Sequence, residues 1–285
     1  MGRGMQRAVW YVLAGIVSVQ LGAAIAKDLF DRIDPTAMVF LRLVTSALLL
    51  TVIARPRLRG RSRADWLVVI GFGIALGTMN WAIYQSFARI PLGVAVTIEF
   101  IGPLTIAVLG SRRARDLIWV GLAAAGVLLF GFDPTGVTLP GVLFALLAGA
   151  AWAAYILLSA RTGQRWQGVE GLAVASVVAT LVLMPYAVAR GGSTLLLPDI
   201  LLLGAAVGVL SSVVPYSFEL AALRQLKPAV FGILMSLEPA AAALAAIVVL
   251  QELLTPLQWV AMTSVVVASV GATRSGRSRL EPVPD

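Results

Sequence analysis

Ten apolar stretches, each close to the length that crosses a lipid bilayer, follow one another along this sequence. A spanning helix needs about 20 mostly apolar residues to cross about 30 Å of hydrocarbon. Hydrophobic residues make up 59% of the chain and charged residues 13%, whereas soluble domains average about 45–50% and about 25%. A water-soluble fold has no interior that hides such an excess, so the sequence predicts an all-α polytopic membrane protein. The predicted transmembrane helices are 8–26, 35–54, 66–88, 91–110, 117–132, 140–160, 169–189, 199–222, 228–250 and 255–273.

The basic residues lie mostly between these stretches, on alternate sides of the predicted membrane. With a cytoplasmic N-terminus, 17 of the 22 Lys and Arg residues fall on the inner side, four fall on the outer side, and Arg42 lies inside a span. Cytoplasmic loops of membrane proteins carry this excess of positive charge. The sequence therefore predicts that both termini are cytoplasmic. The net charge of +8 is assigned to topology, and no nucleic-acid partner is expected.

Two basic segments have a second interpretation. The arginine-rich run 55–63 has the composition of a site for anionic lipid headgroups, although a signal that sets topology explains it more simply. Arg3 and Arg7 precede an apolar run and so resemble the start of a secretory signal peptide. The run 8–26 is longer than a signal-peptide core of about 7–15 residues, and we favour a first membrane span.

Cysteine and histidine are both missing from the 285 residues. The lack of cysteine excludes disulfides, thiol nucleophiles and Cys-ligated metal sites. The lack of histidine removes the side chain that most often binds metals and titrates near neutral pH. We therefore expect no metal and no cofactor, and we assign any proton chemistry to carboxylates, with Lys or Tyr assisting.

A polar connection at 131–140 divides the predicted spans into five and five. The two halves share a weak sequence similarity. In each half a similar short segment leads into a predicted helix, which carries Glu99 in the first half and Glu238 in the second. Five is odd, so the second half enters the membrane from the opposite side, and similar halves in opposite orientations form an inverted repeat. The predicted organisation is a first repeat at 1–132, a loop at 133–139, a second repeat at 140–273 and a disordered cytoplasmic tail at 274–285.

This arrangement places two carboxylates near the middle of the membrane. Glu99 follows Pro91 by eight residues, which is about 12 Å of helix. Glu238 follows Pro228 by ten residues, which is about 15 Å from the opposite face. Half of a hydrocarbon core of about 30 Å is about 15 Å. Both side chains therefore approach the midplane, as an inverted repeat requires.

A proline follows each of these carboxylates closely. Pro103 lies four residues after Glu99, and Pro239 directly follows Glu238. Proline removes an intrahelical hydrogen bond, so the freed carbonyl finds another partner or lines a cavity. A charged side chain at the bilayer centre costs about 2.5–3.5 kcal/mol on insertion scales and normally faces a polar interior. Each Glu therefore has two interpretations: a neutral carboxyl that bonds a neighbouring helix, or a group that handles protons or substrate.

Other candidate site residues lie at useful depths. Arg42 is about 10 Å inside the second span, with Glu99 or Asp28 as its expected partner or a ligand as the alternative. Lys27 ends the first span, where extension to water is the default. Glu219 lies near the inner face and is a candidate for a cytoplasmic mouth. The remaining candidates, for which a bridge between helices is the alternative, are Gln20, Asn80, Tyr84, Tyr155, Tyr216 and Ser236, with Trp81 and Trp152 as candidate cavity walls.

Six stretches carry a family resemblance that runs from the first span to the tenth. The chain resembles the EamA branch of the drug/metabolite transporter superfamily, and within it a group of bacterial inner-membrane exporters of threonine and homoserine. The stretches that contain Glu99 and Glu238 are the most specific, and much of the rest is generic apolar helix. The six stretches are 18–27, 79–84, 91–104, 149–157, 214–219 and 234–240.

The resemblance implies ten transmembrane helices as a 5+5 inverted repeat, with a cavity between spans 1–4 and 6–9. It also implies a secondary active exporter of small amino acids, working against protons by alternating access in a bacterial inner membrane. Combined with the buried charges, it suggests that Glu99 and Glu238 hold in turn a proton and the substrate ammonium. Lys27 or Arg42 then faces the substrate carboxylate. The partners expected are an amino acid, protons and the lipid bilayer.

Three rival interpretations remain open. The same architecture exports drugs, nucleotide sugars or other metabolites, and a cationic drug would favour the acidic groups over Lys27 and Arg42. A polytopic membrane enzyme is a remote alternative, because the acidic segment 28–34 has spacing that suits magnesium but no partner motif. A channel is equally remote, because no repeated filter or ring of charges occurs in the sequence.

Overall fold

The computed structural model describes residues 3–109, 117–131, 135–223, 225–226 and 228–276. Within these ranges, all the regular secondary structure is helical. Most of the predicted tail and part of the predicted loop 133–139 lie outside them. The α-helices are α1 Arg3–Asp28, α2 Pro35–Ala54, α3 Arg63–Phe87, α4 Leu92–Glu99, α5 Ile101–Leu109, α6 Leu117–Leu129, α7 Leu139–Gly163, α8 Glu170–Gly191, α9 Pro198–Gly208, α10 Val214–Leu223, α11 Pro228–Met235, α12 Glu238–Ala245 and α13 Pro256–Gly276.

Within the described ranges, nine helical stretches are long and apolar enough to cross a membrane, and each matches a predicted span. The prediction of a multi-pass, all-α membrane protein is confirmed to that extent. The predicted fifth span is shorter: α6 covers 13 residues, or about 20 Å of helix. The spans are Gln6–Asp31, Pro35–Ala54, Arg63–Phe87, Leu92–Leu109, Leu139–Gly163, Glu170–Leu196, Pro198–Glu219, Val230–Leu250 and Pro256–Arg274.

Large apolar side chains cover the outer faces of these helices. Val52, Leu128, Leu202 and Val248 are each about two-thirds exposed or more. A soluble protein rarely leaves contiguous apolar surface of this kind uncovered, whereas acyl chains cover it at no cost. The buried core consists mainly of alanine, valine and leucine between the helices, and small residues let membrane helices approach closely.

Three of the spans are interrupted where the sequence places a proline. The fourth span breaks at Phe100, between α4 and α5, three residues before Pro103. The ninth breaks between α11 and α12, directly before Glu238 and Pro239. The eighth has a π-helical turn at Val209–Val213, which ends two residues before Pro215. Each proline lacks the N–H that would continue the helix, so the breaks expose backbone carbonyls inside the bundle.

The helices of the first and second halves pack in a reciprocal pattern. Helix α3 packs on α7 and α8, while α9 and α10 pack on α1 and α2 in the corresponding way. Helices α4 and α5 lie against α7, and α11 and α12 lie against α1. The remaining main contacts join counterparts directly: α2 with α8, α4 with α12, and α6 with α13. Exchanging the halves therefore leaves the pattern of neighbours unchanged.

Four ion pairs join the loops around α2, α3, α8 and α9, two at each end of the bundle. At both ends, an arginine from one half meets a carboxylate at a helix start in the other half, and the reverse pair lies beside it. We call these the end clasps. They are Asp34–Arg190 (3.2 Å) with Arg32–Asp199 at one end, and Arg61–Glu170 (2.7 Å) with Asp65–Arg165 (3.0 Å) at the other.

Candidate transport cavity

A cavity of about 510 Å³ lies between the helices of the two halves. Ten of the α-helices contribute side chains to it, among them α4 and α5 of the fourth span and α11 and α12 of the ninth. The predicted candidates that line it are Gln20, Arg42, Asn80, Glu99, Trp152, Tyr155, Glu219 and Glu238.

Three carboxyl side chains and one guanidinium meet in this cavity. Glu99 and Glu238 are each 8% exposed, and Glu219 is partly buried. The charge of Arg42 acts on Glu99, and the charges of Glu219 and Glu99 act on Glu238. Ionised groups at such positions normally line a polar pathway. The structure therefore brings together the two carboxylates that the sequence placed at the same depth.

Glu99 is held at the end of α4 by a close helix crossing. Because Pro103 has no N–H, the carbonyl of Glu99 lacks its usual intrahelical donor. That carbonyl lies against Gly149, where an added Cβ would come within 2.7 Å of it. At Gly102, an added Cβ would come within 2.0 Å of the Gly149 carbonyl. Helices α5 and α7 thus touch through two glycines, and this contact fixes the position of Glu99.

Glu238 is the first residue of α12, with Pro239 behind it. Anionic groups are favoured at a helix N-terminus, where the backbone N–H groups point outward. The preceding Ser236 hydroxyl donates to the Gly232 carbonyl (3.0 Å) and meets the Ser269 hydroxyl of α13 (2.8 Å). Ser236 therefore holds the break between α11 and α12 and does not line the cavity.

The same local arrangement precedes Glu99. Two residues before it, the Thr97 hydroxyl donates to the carbonyl of Gly93 at 2.6 Å. Thr97 and Gly93 are therefore spaced from Glu99 as Ser236 and Gly232 are from Glu238. A hydroxyl that bonds the carbonyl four residues back bends a helix. Both carboxylates thus follow the same hydroxyl–glycine contact.

Arg42 reaches the π-helical turn of the eighth span. Its guanidinium donates to the Ser211 carbonyl (3.2 Å), and the Ser18 hydroxyl donates to the neighbouring Leu210 carbonyl (2.7 Å). Pro215 lies four residues after Ser211 and cannot donate to that carbonyl. The expected partner of Arg42 was Glu99 or Asp28, and this expectation is corrected: among the described residues, no carboxylate lies within 4 Å of it.

Several polar groups of the cavity have no partner among the described residues. They are the amide oxygen of Gln20, the Nε of Arg42 and the hydroxyl of Ser211. Asn80, in contrast, donates to the carbonyl of Leu76 at 2.9 Å. Unpaired buried polar atoms cost about 1–3 kcal/mol each. These three atoms are therefore unsatisfied polar groups in residues that line the cavity.

Lys27 lies outside the cavity lining. It forms an ion pair with Glu252 at 2.5 Å and donates to the Ile90 carbonyl at 2.8 Å. The other oxygen of Glu252 accepts from the N–H of Leu92, at the start of α4, at 2.9 Å. The expectation that Lys27 extends to water or faces a substrate is corrected, because Glu252 comes from the segment before α13 and covers it.

The aromatic candidates separate into two groups. Trp152 and Tyr155 line the cavity, and the Trp152 indole packs edge-on against Phe100. Tyr84 is buried beside it, with its ring centroid 5.6 Å from the Arg42 guanidinium carbon and its hydroxyl unpaired within the described structure. Trp81 packs against Phe144 and Tyr186 instead of lining the cavity. The side chain of Tyr216 lies outside the described part of the chain.

Sequence reasoning missed two residues of this region. Ser211 lines the cavity beside Arg42, and its only sequence signal is Pro215 four residues later, which frees its carbonyl. Glu252 holds Lys27, but a charged residue between two apolar stretches gave no sign of a partner 225 residues away. Across the described residues, no cluster of three or more acidic side chains has the arrangement of a metal site.

A cavity with buried charged side chains between membrane-spanning helices is typical of a multi-pass membrane transporter. The chain belongs to the EamA-like transporter family, whose model matches it twice, at residues 6–132 and 139–274. Because this is a family of transporters, the alternative interpretation of the chain as a membrane enzyme is excluded. The match to one solved crystal structure spans 95% of this chain and 99% of the solved chain. The TM-score is 0.63 and the sequence identity is 17%, which shows a shared fold.

Two curated relatives are named threonine/homoserine exporter RhtA. The one from Escherichia coli strain K12 is 39% identical over 269 residues, which is 93% of this chain and 91% of that protein. The one from Salmonella typhimurium strain SL1344 is 40% identical over 265 residues, which is 92% of this chain and 90% of that protein. The similarity therefore extends over more than nine-tenths of the chain.

Proposed function

We propose that this protein is a secondary active exporter of small amino acids, of the size and polarity of threonine and homoserine, in a bacterial inner membrane. The observation that carries the proposal is the cavity that is lined by Arg42 and by at least one carboxylate from each half. The names of the two relatives, similar over more than nine-tenths of the chain, support the substrate class. Amino acids are zwitterions, and the cavity offers groups of both signs.

We also propose that the ten apolar helices form two five-helix units in opposite orientations, with both termini cytoplasmic. Three observations support this organisation. The family model matches the two halves separately, the contacts between helices are reciprocal, and Thr97–Glu99 repeats the arrangement of Ser236–Glu238. Transporters with inverted repeats bind the substrate near the midplane between the repeats, and this cavity lies between helices of the two halves.

In the proposed mechanism, Glu99 and Glu238 hold alternately a proton and the ammonium of the substrate. Arg42 faces the substrate carboxylate, and Asn80 and Tyr155 supply hydrogen bonds to the polar side chain. Glu219 lies on the same wall, closer to the cytoplasmic end of its span. Substrate and proton compete for the same carboxylates, so a proton that enters from outside displaces the amino acid outward.

The conformation fits loading from the cytoplasm. With cytoplasmic termini, α5 and α13 end on the inner side and α11 begins there. The cavity is lined by Ala107 near the end of α5, Thr273 near the end of α13 and Phe231 near the start of α11. On α1, the lining stops at Ala23, before the outer end of the helix. We interpret this as an inward-facing state.

Transport by purified protein in proteoliposomes tests the proposal. Wild-type protein is expected to accumulate radiolabelled threonine against a gradient when a pH difference is imposed, and Glu99→Gln and Glu238→Gln are each expected to abolish that accumulation. Glu170→Gln, which alters an end clasp and not the cavity, serves as the control and keeps coupling. Intact proton-coupled transport in both cavity variants would end the scheme.

The substrate class is tested separately. Efflux from cells that express the chain is measured for threonine, homoserine, larger amino acids and a cationic drug. Preferential efflux of the small hydroxylated amino acids supports the proposal, whereas preferential efflux of the drug favours the rival interpretation, in which the carboxylates select a cation.

A further inference from the structure

Ser211 and Arg42 both line the cavity, and each has a buried hydrogen-bond donor with no partner among the described residues. Ser211 is only 4% exposed, its hydroxyl has no partner among the described residues, and its own carbonyl accepts from Arg42 at 3.2 Å. The Nε of Arg42 is also unpaired in the described structure. One contact thus brings together a hydroxyl and an N–H that both need an acceptor.

The Ser211 hydroxyl lies against α1, at a turn where the regular helix is interrupted. The π-helical turn and Pro215 free two carbonyls, and side chains from α1 and α2 bind them. Gly22 of α1 faces the hydroxyl so closely that an added Cβ would come within 2.2 Å of it. π-turns occur often at functional sites. The turn, the glycine and the arginine therefore converge on a single polar position.

A carboxylate is the ligand that suits these groups. Ionised carboxylates only accept hydrogen bonds, and arginine binds them with particular geometric fit. We infer that Ser211 together with Arg42 forms the subsite for the α-carboxylate of the substrate, and that Ser211 is a specificity-determining residue. This inference rests on the proposed function and adds a residue to it.

The test compares L-threonine with L-threoninol, which has a hydroxymethyl group in place of the carboxylate. Binding of each to purified protein is measured by competition against radiolabelled threonine, for wild type, Ser211→Ala and the matched control Ser212→Ala. Ser212 is buried beside Ser211 but does not line the cavity. Loss of one hydrogen bond is expected to weaken threonine binding about 3- to 10-fold and to leave threoninol binding unchanged.

Two results overturn the subsite and leave the proposed function intact. In the first, Ser211→Ala binds threonine as tightly as wild type does. In the second, Ser211→Ala weakens the binding of threonine and of threoninol equally. An equal effect of Ser212→Ala also overturns it, because the loss is then a general disturbance of the turn. No threonine binding by wild type overturns the proposed function and the subsite with it.

A second inference comes from the ion pairs. The four pairs of the end clasps all lie around α2, α3, α8 and α9. Within the described ranges, the fifth pair, Lys27–Glu252, is the only one that ties α1 to the segment before α13. Glu252 also binds the N–H of Leu92. Lys27 and Glu252 are only 15% and 23% exposed, so the pair is shielded from water.

On α1 this pair lies beyond Ala23, the last residue of that helix that lines the cavity, although Phe87 at the end of α3 also lines it. Lys27 is seven residues beyond Gln20, or about 10 Å along α1. Three elements meet there: the end of α1, the start of α4 and the segment after α12. Opening the cavity to the outside requires these three elements to separate. The end clasps, in contrast, join α2, α3, α8 and α9 to one another at both ends of the bundle. We propose that Lys27–Glu252 is a latch that closes the outer mouth during loading.

The natural absence of cysteine makes a direct test possible. Lys27→Cys with Glu252→Cys is joined by a short bifunctional thiol reagent, and Asp34→Cys with Arg190→Cys is joined in the same way as the matched control. The first link is expected to reduce threonine efflux at least 10-fold and a reducing agent to restore it, which shows that the protein is folded. The control link is expected to leave efflux within about two-fold of the unlinked protein.

Two results would overturn the latch. Efflux that persists with residues 27 and 252 linked shows that the outer end need not open there. Efflux that both links abolish shows that the clasped side moves as well, and the distinction between latch and clasps is then lost.

Discussion

Glu99 and Glu238 come from corresponding stretches of the two halves, yet they lie at opposite ends of their half-helices. Glu99 is the last residue of α4, and Glu238 is the first residue of α12. The partial charge at a helix C-terminus opposes an anion, and that at an N-terminus attracts one. Arg42 acts on Glu99, whereas the charged neighbours that act on Glu238 are carboxylates. Two similar sequences have thus placed their glutamates in different electrostatic surroundings.

This inequality suggests a division of roles. Glu99 shares the cavity with Arg42 of another helix, and Arg42 also binds the Ser211 carbonyl. Glu238 lies in the first turn of its own helix. A substrate that draws Arg42 toward its carboxylate therefore alters the surroundings of Glu99 first. The following predictions test how far the two halves differ.

The largest difference is expected at the helix crossings. Gly102→Ala places a methyl group 2.0 Å from the Gly149 carbonyl, which the backbone relieves only by moving. Overpacking of this kind costs about 1–3 kcal/mol, and we expect the upper end because the obstacle is backbone. The corresponding position in the second half is Ala241, which already carries that methyl group. Thermal unfolding in detergent measures the loss, and Ala241→Gly is expected to cost only about 1 kcal/mol.

A coupling of intermediate size is expected between Arg42 and one of the two acids. Arg42→Gln is expected to interact with Glu99→Gln by about 1–2 kcal/mol in a double-mutant cycle of unfolding free energy, within the range for residues that share a network. The same cycle with Glu238→Gln is expected to be additive within about 0.5 kcal/mol. Equal coupling to both acids would remove the distinction drawn from the helix ends.

The smallest difference concerns the hydroxyls that precede the two acids. Thr97→Val and Ser236→Ala each remove a bond to a glycine carbonyl, but Ser236→Ala also removes the contact with Ser269 of α13. A neutral hydrogen bond contributes about 0.5–1.5 kcal/mol. Ser236→Ala is therefore expected to be more destabilising by about that amount. If Ser269→Ala proves neutral, the cross-helix bond contributes nothing and the two hydroxyls are equivalent.

Much of the fold followed from local properties of the chain. Nine spans were readable because a helix that crosses lipid needs a long apolar run, and that requirement is visible in one dimension. Counting residues from Pro91 and Pro228 at a fixed rise per residue predicted similar depths for Glu99 and Glu238, and the structure places both in one cavity. Helix α6 was overestimated, since apolar composition continues beyond the helix that forms.

The partners of the charged residues were not readable in this way. Lys27 and Glu252 are 225 residues apart in the sequence, and Arg42 binds the carbonyl of Ser211 169 residues away. A backbone carbonyl carries no sequence signature as a ligand. Only the packing of α2 against the π-turn reveals that the Ser211 carbonyl accepts a hydrogen bond from Arg42.

The sequence by itself determined a membrane protein of apolar helices and predicted two acids at mid-depth, because hydropathy and helical rise act locally along the chain. The tertiary structure decided which charged residues line the cavity and which form ion pairs elsewhere. That choice depends on distances between side chains from separate helices, and those distances exist only once the helices have packed.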